Sequence, residues 1–251
     1  MLPAVALRVL SQSKNPDVAY SDIVAIVESD PLFAASVLRI ASAPIYASKT
    51  AIRSIDQALL RLGLARLVDI CLEVAVTARI FRAPGFDTLM ENTRRHSIAV
   101  AHIARLVAER TAVATEDTFT IGLLHELGLV AGFIALTTPA LWPEGLPRND
   151  VLRVVLSERV ALTDRLVKAW LLPESIGRAL CELHRDAFPH DVSLATIHLA
   201  DKIACSLGFE GAAPCSMDSD ASEHVREIVG LRRLDLADLE VAARKLCARI
   251  T

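Results

Sequence analysis

From Asp87 onward the large apolar residues recur every three or four positions, and no stretch of useful length alternates with the two-residue period of a strand. That pattern restricts the chain to packed helices. Composition agrees, because 53% of the residues are hydrophobic but only 4% aromatic, so the core must be built from Ala, Leu, Val and Ile rather than from the aromatic side chains that strands favour. An all-α, multi-helix architecture is expected. The 251 residues suffice for one large or two small domains.

Local signals mark the helix ends. Leu2, Val5, Val9 and Leu10 suggest a first short helix stopped by Lys14-Asn15-Pro16, and Ser21 is placed to cap a second through Ile23, Val24, Ile26 and Val27. Asp30-Pro31 pairs a capping carboxylate with proline at the first helical position, and Leu32, Phe33, Ser36, Val37 and Ile40 follow on the expected apolar face. Ala43-Pro44 ends that helix. Ser54-Ile55-Asp56-Gln57 matches a capping box, Gly63 closes the helix it starts, and a longer helix runs from Leu64 to Phe81. Arg82-Ala83-Pro84-Gly85 then divides residues 1–86, an N-terminal helical subdomain, from residues 87–251, a second helical subdomain. The periodicity predicts helices over Thr88–Thr111, Glu116–Leu127, Leu129–Leu136, Asn149–Leu156, Thr163–Leu171, Pro173–Ala187, Ser193–Leu207, Ala221–Val229 and Leu236–Arg249. The last places Leu236, Leu239, Ala243, Leu246 and Ile250 on one stripe, to close the core or form a dimer face. Gly208–Asp220 is expected to be a mobile surface loop.

The 27 Lys and Arg against 30 Asp and Glu leave a net charge of −3, and Arg66, Arg94-Arg95 and Arg232-Arg233 are too dispersed for a basic stripe; no nucleic-acid partner is expected. The five cysteines form no C-x-x-C pair and are expected to be reduced thiols. Met1-Leu2-Pro3 opens without signal-peptide features, and the apolar run Leu127–Leu136 is too short to cross a bilayer, so a cytoplasmic protein with no membrane partner is expected.

Chemistry concentrates at four polar points on otherwise apolar helices: His96, His125-Glu126, His184 and Asp201. The sharpest is Gly122-Leu123-Leu124-His125-Glu126-Leu127-Gly128, where an imidazole and a carboxylate sit among leucines. Such groups are rarely buried unless paired or bound to metal. Imidazole and carboxylate together suit Zn, Fe or Mn, and two such ions would polarise a phosphoryl oxygen and generate hydroxide from bound water. Each point also has a plainer reading, a histidine hydrogen-bonded within the core or, for Asp201, a salt bridge to Lys202 or Arg178. His102 falls on a different helical face from His96, and His102, His190 and His224 are assigned surface or capping roles.

The order His96, His125-Glu126, Asp201 resembles the H…HD…D signature of metal-dependent phosphohydrolases of the HD superfamily. Asp30-Pro31-Leu32, Val37–Ala43 and Ile52–Gly63 resemble the paired helical motifs that precede the HD-like core in HDOD domains, and Ala99–Ala108 and Ile121–His125 continue the likeness through about residue 205. Glu126 departs from the pattern by standing where the superfamily has Asp, which moves the carboxylate one methylene outward. Ala187-Phe188-Pro189 takes the place of the Gly-Tyr-Pro motif of the HD-GYP phosphodiesterases, and no lysine occurs between Leu129 and Leu146.

The resemblance implies a bacterial signal-transduction module that acts on a protein partner, with a degenerate HD-type pocket and no catalysis. It places a divalent metal (Fe, Mn, Zn or Mg) at His96, His125, Glu126 and Asp201, and a ligand or nucleotide near His184. The alternative is an active phosphohydrolase of a nucleotide or phosphodiester at the same residues. A homodimer is compatible with both.

Overall fold

The computed structural model describes residues 4–46, 52–111, 117–138, 150–185, 191–213, 225–231 and 233–248. Every regular element among them is helical, and the chain divides into two compact units between Ile80 and Phe81, just ahead of the Arg82–Gly85 turn.

The first unit contains α1 (Ala4–Gln12), α2 (Tyr20–Glu28), α3 (Pro31–Ala41), a 3₁₀ turn (Pro44–Tyr46) and α4 (Ile55–Arg79). Helices α1, α2 and α3 all pack on α4, and their core is aliphatic apart from Phe33: Ala6, Val9, Leu10, Ile23, Val27, Val37 and Ala41 are buried with it. The local signals explain where α3 and α4 start. Asp30 caps α3 by accepting hydrogen bonds from the backbone N–H groups of Leu32 and Phe33 at 3.0 and 3.1 Å, with Pro31 behind it. Asp30→Ala removes both bonds and is expected to lower stability by about 1 kcal/mol in urea denaturation, with an unchanged m-value. Ser54 accepts from the Gln57 N–H at 3.1 Å, while the Gln57 carboxamide reaches back to the N–H of Arg53, one residue before the capping position. Gly63 adopts φ 81° and ψ 165°, so α4 is two helical pieces meeting at a break that only glycine accommodates without strain.

Two expectations fail in this unit. Ser21 is not a cap, because α2 begins at Tyr20 and Ala19 occupies the capping position without a side-chain bond. Leu32 is 83% exposed, since the buried stripe of α3 runs through Phe33, Val37 and Ala41 instead.

The second unit is organised around α5 (Asp87–Thr111), which packs against α6 (Thr118–Leu124), α10 (Val192–Ser206) and the last helix, α11 (Arg233–Cys247). Helix α7 (Leu127–Leu136) lies along α8 (Val151–Trp170), and α9 (Glu174–Glu182) bridges α8 and α6. The stretch Thr118–Leu136 is long and apolar enough to cross a bilayer, but 78% of it is buried inside the protein, so it serves as the core. The two helices expected over Asn149–Leu156 and Thr163–Leu171 are a single helix, α8. Its polar middle, Ser157-Glu158-Arg159, contains no glycine or proline to stop it. On α11 the buried residues are Leu239, Ala243 and Cys247, with Leu236 and Leu246 half-buried at the margins, so the stripe is rotated from the expected one; Ile250 lies outside the described residues.

Candidate metal centre

The second unit brings the expected residues to one place. His96 projects from the middle of α5, and α6 approaches α5 closely because Gly122 has no side chain: a Cβ there would lie 2.9 Å from the Ala101 Cα. This contact delivers His125 to His96. Helix α6 ends at Leu124 and α7 begins at Leu127, so His125 and Glu126 form the junction between two helices and do not lie within one; Glu126 sits at φ −95°, ψ 17°. That is the bridge region, often populated at functional sites. Helix α10, capped by Asp191 through the N–H groups of Ser193 and Leu194, presents Asp201 from the other side.

His96, His125 and Glu126 are 3%, 3% and 6% exposed, and the Asp201 side chain 31%. His96 Nε2 lies 3.1 Å from His125 Nε2 and 3.2 Å from Asp201 Oδ1, while Glu126 Oε1 is 3.8 Å from His125 Nε2. The ligand atoms of His96, His125 and Glu126 all fall within 4.8 Å of one another, as do those of His96, Asp201 and Cys205. His96 therefore joins two donor groups. Asp201 pairs with it and not with Lys202 or Arg178, the latter being bound to Glu174 at 2.7 Å.

The hydrogen bonds fix the imidazole tautomers. His96 Nδ1 lies 2.8 Å from the Phe209 carbonyl oxygen and His125 Nδ1 2.6 Å from that of Gly122. A carbonyl only accepts, so both Nδ1 atoms carry hydrogen and, in the neutral rings, both Nε2 atoms carry lone pairs. Two lone pairs facing each other at 3.1 Å repel unless a cation lies between them. A proton on His96 Nε2, directed toward Asp201, supplies one. Burial opposes that charge, but the Asp201 hydrogen bond, the Asp201 carboxylate and the Phe209 carbonyl outweigh it and hold the His96 pKa above the usual imidazole range. Burial and the neighbouring His96 push His125 down to about 3. Glu126 is pushed up to about 7 by burial, against the attraction of Arg159 and His96, and its Oε2 has no hydrogen-bond partner. For Asp201 burial favours the neutral acid, yet the bond from His96 and the histidine charges lower its pKa overall.

A divalent ion fits this donor set. Its neutral imidazole nitrogens already have their outer N–H groups anchored on carbonyls, the arrangement that orients metal-ligating histidines, and the orphaned Glu126 oxygen lacks only a cation. His184 stands behind the dyad: its Nε2–H donates to the His125 carbonyl at 2.7 Å, and burial, followed by the Arg159 charge, lowers its pKa to about 4.

The structure also shows participants that the sequence reading passes over. His198, one turn before Asp201, is drawn into the same cluster, with its pKa lowered by burial against the pull of Asp201. The spacing His198-x-x-Asp201 puts the two on one helical face and was the available signal. Arg159 acts electrostatically on Glu126, His184 and His198. The segment expected to be a mobile loop supports the site: Phe209 holds His96 through its carbonyl, Arg95 stacks on the Phe209 ring at 5.6 Å, and Gly211 lies so close that a Cβ would meet the His96 ring at 3.0 Å. His102, expected at the surface, is buried edge-on to Phe119 with ring centroids 5.1 Å apart. His190 and His224 lie outside the described residues.

Comparison with known proteins agrees with this architecture. Along its whole length the chain resembles an HDOD domain protein of unknown function from Geobacter sulfurreducens (TM-score 0.76, 23% identity, covering 91% of that chain). It also resembles a Shewanella amazonensis protein provisionally named a metal-dependent phosphohydrolase (TM-score 0.75, 17% identity, 92% of that chain). A Marinobacter aquaeolei protein provisionally named a signal transduction protein matches with a TM-score of 0.72 and 21% identity over 58% of its length. An uncharacterized protein of Treponema pallidum is 24% identical over 185 residues, and the chain spans only about a third (35%) of its length. The sequence model of the HDOD domain matches residues 1–185, which takes in His96, His125, Glu126 and His184 but stops short of His198 and Asp201. With a match over most of its length, this chain belongs to the HDOD domain family.

Proposed function

We propose that this protein is a signal-transduction module whose central pocket binds one divalent cation through His96, His125 and Glu126, with Asp201 joining from α10, and that its output is a protein–protein contact governed by the filled pocket. The observation that carries the reading is the 3.1 Å approach of two buried Nε2 atoms whose opposite nitrogens are both tied to carbonyls. When bound, the ion supplies positive charge where the protein otherwise needs a proton. The chain's own residues hold it: Phe209 and Gly122 orient the imidazoles, and His184 braces the backbone between His125 and Glu126. Four elements, α5, the α6–α7 junction, α10 and the segment after it, would be cross-linked, so filling the pocket stiffens the second unit.

Metal analysis after purification without chelators, followed by loading with Mn²⁺, Fe²⁺ or Zn²⁺, tests the proposal. About one equivalent is expected in the wild type, with a rise in melting temperature equivalent to about 4 kcal/mol at a thousandfold excess over Kd, and neither in His125→Ala. Circular dichroism establishes that the variant is folded. A loaded wild type holding less than roughly a tenth of an equivalent excludes the site.

A hydrolytic reading is favoured by one observation, the convergence of the same imidazole and carboxylate donors in one cluster. Metal-dependent cleavage of a nucleotide or simple phosphodiester that disappears in His125→Ala would make the module an enzyme.

A further inference from the structure

Helix α10 carries more metal donors than Asp201 alone. His198, Asp201 and Cys205 are spaced i, i+3, i+7, which gathers them within about 60° of arc on one face of the helix. Cys205 is half-buried, and its Sγ lies 3.7 Å from Asp201 Oδ1, the same oxygen that is 3.2 Å from His96 Nε2. The ligand atoms of His96, Asp201 and Cys205 all fall within 4.8 Å of one another. An imidazole nitrogen, a carboxylate oxygen and a sulfur therefore converge where α10 packs on α5.

Those separations suit one small ion. With bonds of about 2.0 Å to nitrogen, about 2.1 Å to oxygen and about 2.3 Å to sulfur, the edges of a tetrahedron measure about 3.4 Å from N to O and about 3.6 Å from O to S. The observed 3.2 and 3.7 Å lie close to both edges. His96 Nε2 has one lone pair and binds one ion, so the group with Asp201 and Cys205 and the group with His125 and Glu126 draw on a single ion through that nitrogen. An ion on His96 then has a sulfur within reach. Oxygen donors suit Mn²⁺ and Mg²⁺, whereas a thiolate shifts the preference toward Zn²⁺.

We propose that Cys205 is a ligand of the ion bound at His96 and that its sulfur makes the pocket selective for Zn²⁺ over Mn²⁺ and Mg²⁺. The proposal rests on the metal-binding reading above and deepens it by naming a donor and the class of ion. On binding, the bond from Sγ to the metal forms, the S–H bond breaks, and its proton leaves to solvent; nothing is oxidised or reduced. No C-x-x-C spacing marks this cysteine, because its companions are a carboxylate one turn earlier on α10 and an imidazole from α5.

Co²⁺ is the probe, because a bound thiolate gives it an intense near-ultraviolet charge-transfer band that nitrogen and oxygen ligands do not. The full chain is titrated with Co²⁺, Zn²⁺ and Mn²⁺ as wild type, as Cys205→Ser and as Cys181→Ser, the last a control for adventitious thiols on α9. Wild type and Cys181→Ser should show the band at one equivalent of Co²⁺. Cys205→Ser should lose it, and its affinity for Zn²⁺ should fall at least about tenfold while that for Mn²⁺ falls by less. Co²⁺ bound by wild type without the band, or a band that survives in Cys205→Ser, overturns the proposal. So does peptide mapping that finds Cys205 in a disulfide in protein purified without reductant. A wild type that binds none of the three ions overturns the metal reading, and this one with it. Circular dichroism shows whether Cys205→Ser is folded. If it is not, alkylation of wild-type Cys205 decides: a rate suppressed by Zn²⁺ sustains the ligand, and an unchanged rate ends it.

Discussion

Gly128→Ala is expected to lower stability by about 3 kcal/mol or more, the largest single-residue effect the fold predicts. The added methyl carbon would lie 2.0 Å from the Arg159 carbonyl oxygen and 2.3 Å from Thr163 Oγ1. The Thr163 hydroxyl already donates to that carbonyl at 2.8 Å, so it cannot swing away without leaving a bond unmade. The main obstacle is backbone in the middle of a continuous helix, and relief requires α7 and α8 to separate along a contact that also brings Gly132 against Val155. Opening such a contact loses dispersion all along it. Gly132→Ala is the internal control. Its Cβ would meet Val155 Cγ1 at 2.6 Å, a side-chain atom, and the better helix propensity of alanine returns roughly 1 kcal/mol, so the net change should stay within about 1.5 kcal/mol of wild type. Urea denaturation of both variants at neutral pH measures the difference. A Gly128→Ala protein as stable as wild type would mean that the helices do not cross where the structure has them.

Features set by short-range chemistry are legible in the sequence. Asp30-Pro31, Ser54 and Gly63 each act within three or four residues, and each performs the expected local task. The buried ligand candidates are legible for a different reason: His96, His125 and Glu126 stand out because polar groups among leucines need partners, and the partners exist. What the reading misses depends on contacts between distant segments. Phe209 is 113 positions from the histidine it orients, and only its carbonyl is used, so no side-chain pattern marks it. Arg159 sits in a polar stretch, and nothing local marks that its backbone carbonyl meets α7 at Gly128. The break at His125-Glu126 carries no glycine or proline. None of the local signals that mark the other helix ends marks this one. The burial of His102 is likewise hidden from the sequence, because the Phe119 ring beside it comes from α6.

Acid should destabilise the metal-free protein, and Glu126 should blunt the effect. His125 and His184, with folded pKa values of about 3 and about 4 against 6.5 when unfolded, bind protons only in the unfolded chain between pH 6.5 and 4. Falling pH therefore favours unfolding over that window, and His198, shifted in the same direction, adds to the loss. Two groups of the cluster oppose it. His96 is shifted upward, and Glu126, at about 7 against 4.5 unfolded, takes up its proton in the folded state first, so its neutralisation stabilises the protein as pH falls from about 7 to 4.5. At about 1.4 kcal/mol per unit of pKa difference, EDTA-treated wild type should lose roughly 3 kcal/mol between pH 6.5 and 4. Glu126→Gln removes the opposing contribution and should lose roughly 5 kcal/mol over the same range. The remaining carboxylates titrate alike in both proteins, so stepped-pH urea melts isolate Glu126 as the difference in slope between pH 7 and 4.5. Parallel curves would show that Glu126 is already ionised in the folded protein at pH 4.5, and the buried, orphaned oxygen that makes it a candidate ligand would then have found a partner other than a metal ion.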